Sequence, residues 1–155
     1  RITRLTTGRV VDFGIKDANN MGASMAPAAA HTISQHLKDF EEEPEAYDRI
    51  FTGDLGQYGL QLAGELVERD GYDIKDRLSD CGLIVYDRES QDVHAGGSGC
   101  GSSALTLVNY ILPAMMEGQY RKVLFVPTGA LLSPLSTQQG ESIPGIAQAV
   151  VLEAV

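Results

Sequence analysis

Gly96-Gly97-Ser98-Gly99-Cys100-Gly101-Ser102-Ser103 runs directly into Ala104-Leu105-Thr106-Leu107-Val108-Asn109-Tyr110-Ile111-Leu112-Pro113-Ala114-Met115-Met116-Glu117, and this junction decides the fold. Glycines let a ligand or another backbone come close, and the first N–H groups of a helix have no intrahelical partner. A glycine run feeding a helix therefore makes a wall that binds an anion or packs tightly on a neighbour, and both readings stand at this point. From Ser103 to Glu117 the residues Leu105, Leu107, Val108, Ile111, Leu112, Met115 and Met116 leave almost no polar face. A helix apolar all round is expected to be buried on all sides, so this one is read as central. Pro113 inside it predicts a kink or a broken hydrogen bond. The continuous run Val123-Leu124-Phe125-Val126 reads as an inner strand covered on both faces.

Working outward, Ile2 to Ile15 carries alternating apolar positions and reads as a strand interrupted near Gly8. Met21, Met25, Ala29, Ile33, Leu37 and Phe40 share one helical face, with Ser24 as the expected cap and Pro27 in the first turn. Glu41-Glu42-Glu43 and Pro44 end that helix. Ile50-Phe51-Thr52 reads as a short buried strand. Asp54 can cap the next helix, whose expected apolar face is Leu55, Tyr58, Leu62, Ala63 and Leu66, and Gly71 closes it. Leu83-Ile84-Val85-Tyr86 is a brief strand-like run, Gly129 to Glu141 a polar loop, and Gly145 to Val155 a final strand. The order of elements predicts an α/β fold: a mixed, mostly parallel five-stranded sheet with helices on both faces, a buried central helix and an antiparallel last hairpin.

The chain has 155 residues, 43% hydrophobic and 21% charged, enough for one core of this class. It begins at Arg1 and reads as a piece of a longer chain. Twelve Lys and Arg against 21 Asp and Glu give a formal net charge of −9, which argues against a nucleic-acid partner, because such a surface needs clustered cations. No apolar run approaches the roughly 18 residues of a membrane span. Cys81 and Cys100 are expected as thiols.

Gly99-x-Gly101-x-x-Ala104 matches a dinucleotide fingerprint only as a bare pattern, without a strong strand before it or an acidic residue about 20 positions later. No lysine follows the glycines, so a phosphate loop is excluded. Cys100, close to a helix start, could serve as a nucleophile with His94 as base, although a cysteine among glycines is more often an inert packing residue. His31 and His36 are five apart, do not share a face as zinc ligands would, and read as surface or boundary residues. No metal site or cofactor is expected.

The order of elements, with Tyr47-Asp48-Arg49-Ile50-Phe51-Thr52-Gly53-Asp54, Gly97-Ser98-Gly99-Cys100-Gly101-Ser102-Ser103 and Lys122-Val123-Leu124-Phe125-Val126-Pro127-Thr128-Gly129-Ala130, resembles the C-terminal half of the thiolase-fold superfamily, which includes ketoacyl synthase III. Those synthases have His-Gln-Ala-Asn after the strand and Gly-Asn-Thr-Ser-Ala-Ala-Ser before the buried helix. Here Thr52 or Gly53 stands at the histidine position and Ser98 at the asparagine position. Neither supplies an imidazole, so the resemblance implies that condensation chemistry is lost and the chain is not an enzyme.

Gly22 to His31, Phe51 to Gly56 and Asp92 to Gly101 resemble more closely the stage V sporulation protein AD family. The resemblance implies residues 1–155 as a C-terminal thiolase-like domain that partners an N-terminal thiolase-like half. It implies a non-catalytic protein that binds dipicolinic acid, with or without calcium, and takes part in its uptake into developing spores. The expected place is the forespore or spore, peripheral to the inner membrane, beside membrane proteins of the same operon; a homodimer is one expected assembly. The expected ligand residues are Thr52, Asp54, His94, Gly97, Ser98, Cys100 and Ser102, with hydroxyls and helix N–H groups receiving carboxylates. The competing readings are an acyl-CoA-dependent acyltransferase or condensing enzyme using Cys100, and a purely structural subunit of a membrane complex.

Overall fold

The computed structural model describes residues 1–99 and 101–155. Five strands form the main sheet: β1 (Ile2–Thr6), β2 (Arg49–Thr52), β3 (Leu78–Asp80), β4 (Lys122–Val126) and β7 (Ala149–Glu153), in the order β1-β7-β4-β2-β3. β2 pairs in parallel with β3 and β4, while β7 runs antiparallel to β4 and β1. Between β4 and β7, β5 (Thr128–Ala130) and β6 (Gly145–Ala147) make a separate antiparallel ribbon. The mixed α/β sheet expected from the order of elements is thus present.

Alternation along the strands divides the core in two. Ile50, Leu124, Val126 and Val151 face one side, under α1 (Met21–Phe40) and α2 (Gly56–Arg69). Phe51, Val123 and Phe125 face the other, under a helix built of α4 (Ser102–Thr106), a π-helical turn over Leu107–Ile111 and α5 (Leu112–Met116). Leu112 donates its N–H to the Leu107 carbonyl, five residues back. The wide turn sits directly before Pro113, which has no N–H to give, so the predicted irregularity takes the form of a π-turn.

This helix is one-sided within the chain, which corrects the expectation of burial on all sides. Ile111 and Met115 pack on the sheet, but Leu105, Val108 and Met116 are 53%, 60% and 88% exposed. Apolar composition reports that a face avoids water; it does not say whether this chain covers it.

Other local expectations shift for identifiable reasons. The first strand stops at Thr6, because Gly8 lies against the Ala147 carbonyl so closely that a Cβ would overlap it; beyond it Val11 makes only an isolated bridge to Gly145. Asn20, not Ser24, caps α1, accepting the Ala23 N–H at 3.2 Å; Ser24 is buried inside the helix and Pro27 lies in its second turn. Where α1 and α2 cross, a Cβ on Gly59 would stand 2.7 Å from Gly22 Cα. Gly56, Gly59, Ala63, Gly64 and Val67 are buried along α2, the expected Leu62 and Leu66 pack half-buried against the same core, and Tyr58 points outward. Leu83 and Ile84 lie in a short helix, α3 (Cys81–Ile84), the strand having come just before it. The Gly129 to Glu141 segment holds the end of β5 and a short helix, α6 (Pro134–Gln138), capped by Ser133. Gly145 to Val155 divides into β6 and β7.

His36 is fully buried rather than a boundary residue. Tyr47 donates its hydroxyl proton to Glu42, so its oxygen receives Nε2–H of His36 at 2.8 Å, leaving Nδ1 to accept from Thr6 at 2.7 Å. The imidazole is thus neutral and in one tautomer. Glu42 also pairs with Arg4 and, at 2.6 Å, with Lys122, tying α1 to β1 and β4.

Candidate ligand site

The parallel strands β2 and β3 end side by side, and the site is built at those ends. After Thr52 the chain must turn into α2, whose first N–H groups need partners. Leu55, at the cap position, offers no side-chain acceptor. Asp80, at the end of β3 and 1% exposed, supplies it: its carboxylate accepts the Leu55 N–H at 2.9 Å, the Gly56 N–H at 3.1 Å and the Thr52 hydroxyl at 2.7 Å. Burial pushes the Asp80 carboxyl above its ordinary range, and these three donors act against that shift. The expected capping role of Asp54 therefore belongs to Asp80, which sequence reasoning missed. The available signal was a glycine-led helix with leucine where a cap should stand.

Asp54, freed from capping, turns to the glycine run. One carboxylate oxygen accepts the Gly99 N–H at 2.9 Å and the Ser98 hydroxyl at 3.2 Å; the other faces the Thr128 hydroxyl at 3.3 Å. Asp54 thereby pins the loop before α4 and the turn between β4 and β5. The proton of Ser98, expected as a donor to ligand, is already given to Asp54.

Asp54, His94, Gly97 and Ser98 line one open cavity of about 280 Å³, together with Asn19, Asn20 and Tyr58. Among the described residues no lysine or arginine lines it. Thr52 and Ser102 lie outside this lining: both are buried, and Thr52 is turned to Asp80. Cys100 lies outside the described residues. The His94 side chain is 90% exposed, with Nε2 3.7 Å from Asp92. The glycines here are packed backbone on backbone. Gly97 donates its N–H to the Gly82 carbonyl at 2.7 Å, and a Cβ on Gly82 would come 2.2 Å from the Gly97 carbonyl oxygen. Close packing and a cavity wall are realised together.

The positions matched to condensing-enzyme histidine and asparagine carry no acid or base. A Cβ on Gly53 would come 2.5 Å from Thr128 Oγ1 and 2.9 Å from Ser103 Oγ, so a ring at that position has no room. The other thiol, Cys81, is buried and its pKa is pushed up to about 12 by burial and then by the Asp80 charge. It is inert at neutral pH.

The profile of the family described as Stage V sporulation protein AD (SpoVAD) matches residues 1–153. The protein of that name from Bacillus subtilis (strain 168) is 46% identical over 153 residues, 99% of this chain and 45% of the relative. The chain spans about half the length of the curated relative it matches. With the matched residues running through both strand ends, the Asp54 cavity and the glycine loop, the chain belongs to the stage V sporulation protein AD family.

Proposed function

We propose that the chain is the C-terminal half of a thiolase-fold protein that binds dipicolinic acid without transforming it and takes part in its uptake into developing spores. One observation carries the reading. At the ends of β2 and β3, Thr52, Gly53 and Ser98 stand where the resemblance to condensing enzymes puts histidine and asparagine, so the general base and oxyanion donor of that family type are missing. What remains in the lining is backbone, the Asp54 carboxylate, the exposed His94 ring and neutral polar side chains.

That carboxylate decides the form of the ligand. Dipicolinate is a dianion, and Asp54 faces the cavity with no lysine or arginine among the described lining residues. The calcium chelate carries no net charge, and calcium takes six to eight oxygen ligands, so Asp54 can complete its shell. Among the described residues no group of three His, Cys, Asp or Glu can hold a metal. In this reading calcium enters with its chelator. The uncovered face of Leu105, Val108 and Met116 is where the N-terminal half packs. No helix among the described residues is long and apolar enough to cross a membrane; in this reading the protein sits at the spore inner membrane beside membrane proteins of the same operon.

Calorimetry on the full-length protein tests this. Saturable heat with dipicolinate, larger with equimolar calcium, is the expected result; no saturable signal at millimolar ligand overturns the reading.

A further inference from the structure

A second polar site lies on the outer face of α1, away from the Asp54 cavity. Two cavities, of about 470 Å³ and about 240 Å³, meet there and share His31 and Asp70. His31, Ser34 and Lys38 fall at spacings of three and four along α1 and so share a face. His31 Nδ1 and Ser34 Oγ are buried atoms that find no hydrogen-bond partner among the described residues. Leaving such groups unsatisfied is costly, so whatever enters the cavity completes them.

The charge around them is unusual for this chain. Arg9 and Arg69 line the smaller cavity and Lys38 the larger. None of the three enters an ion pair among the described residues, although other cations are paired with Glu42, Glu68 and Glu153. Three free cations against the single carboxylate of Asp70 stand out on a chain of net charge −9. An imidazole N–H, a hydroxyl, an ammonium and two guanidinium groups are all donors, and a donor-rich set with excess positive charge matches a phosphate oxyanion.

We propose that this trough binds a phosphate-bearing ligand, with His31 and Ser34 on its floor and Arg9, Lys38 and Arg69 on its rim. The test follows the His31 ring nitrogens by NMR in the full-length protein, assigned by their loss in His31→Gln, while inorganic phosphate is titrated against a chloride control. In parallel, sedimentation with phosphatidylglycerol vesicles is compared with phosphatidylcholine vesicles. A saturable His31 shift specific to phosphate is expected, weakened by about tenfold in Arg69→Gln and in Lys38→Gln. Saturation at millimolar phosphate without vesicle capture assigns a soluble phosphoester. Capture by phosphatidylglycerol that is lost in both variants assigns a lipid headgroup. A shift reproduced by chloride, or no shift together with no capture, overturns the proposal. Because the Asp54 cavity is not involved, dipicolinate calorimetry fails or succeeds independently.

Discussion

Acidification to about pH 5 is expected to weaken the fold through His36, by an amount that follows from the structure. The ring is fully buried, and burial, with Arg4 and Lys122 acting in the same direction, holds its pKa down to about 4 from 6.5 against the pull of Glu42 and Asp39. The unfolded chain takes up a proton as the pH falls through 6.5, whereas the folded chain does not until about 4, so stability is lost across that window. Linkage puts the loss at about 2 kcal/mol at about pH 5, rising to about 3 kcal/mol near pH 4. Glu42 adds a second stage: burial pushes its pKa up, but hydrogen bonds from Lys122, Tyr47 and Arg4 outweigh it and hold it at about 2 instead of 4.5. Its contribution is complete above 4.5 and disappears as the pH falls toward 2. Thermal unfolding of the full-length protein, whose family relative is about twice the length of this chain, should show a Tm lower by about 2–4 °C at about pH 5 than at about pH 7.5. In His36→Gln most of that decline should vanish, with a smaller slope left by His31, which burial shifts the same way. An unchanged wild-type Tm over this range, or an undiminished decline in the variant, refutes the reasoning.

Asp80→Ala removes the acceptor of Thr52, Leu55 and Gly56 and is expected to cost about 2–4 kcal/mol in urea unfolding; a midpoint within error of wild type would show that the cap is dispensable. Gly59→Ala forces α1 and α2 apart at a contact of 2.7 Å, for a loss of about 1–3 kcal/mol by the same measurement. Asp54→Asn keeps the shape of the cavity wall but removes its charge. Calorimetry should then show calcium dipicolinate bound about tenfold more weakly, while the free acid binds as well as before or better. Cys81, with its thiol buried and its pKa pushed up to about 12, should resist iodoacetamide at pH near 8 in the native state and react after unfolding, as read by mass spectrometry.

What the sequence made legible was periodic apolar burial. The stripe from Met25 to Leu37 and the run from Val123 to Val126 lie where their spacing puts them, because burial of many side chains leaves a repeated signal. On α2 the expected Leu55, Leu62, Ala63 and Leu66 lie at the core, but Tyr58 points outward and the closest contacts fall to Gly56 and Gly59, which bury backbone rather than side chain, and hydrophobicity does not see a contact made by the absence of a Cβ. Leu83 and Ile84 misled because a four-residue apolar run fits either a strand or a buried helical turn. His36 and its partners Thr6 and Tyr47 are 30 and 11 residues apart, so no local pattern announces them.

The site divides along the same line. Asp54 was visible as a carboxylate at a helix start, yet its role was assigned by local rule, and a residue 26 positions on took that role instead. Parallel pairing of β2 with β3 sets Thr52 opposite Asp80, a juxtaposition fixed by the sheet and invisible in the order of residues. Its consequence is chemical. The buried carboxylate meets the helix's demand for an acceptor, and so the half-buried one is available to hold the glycine loop and to face the cavity. A pocket edged by an acceptor favours a ligand that brings a positive charge or a donor of its own to meet it.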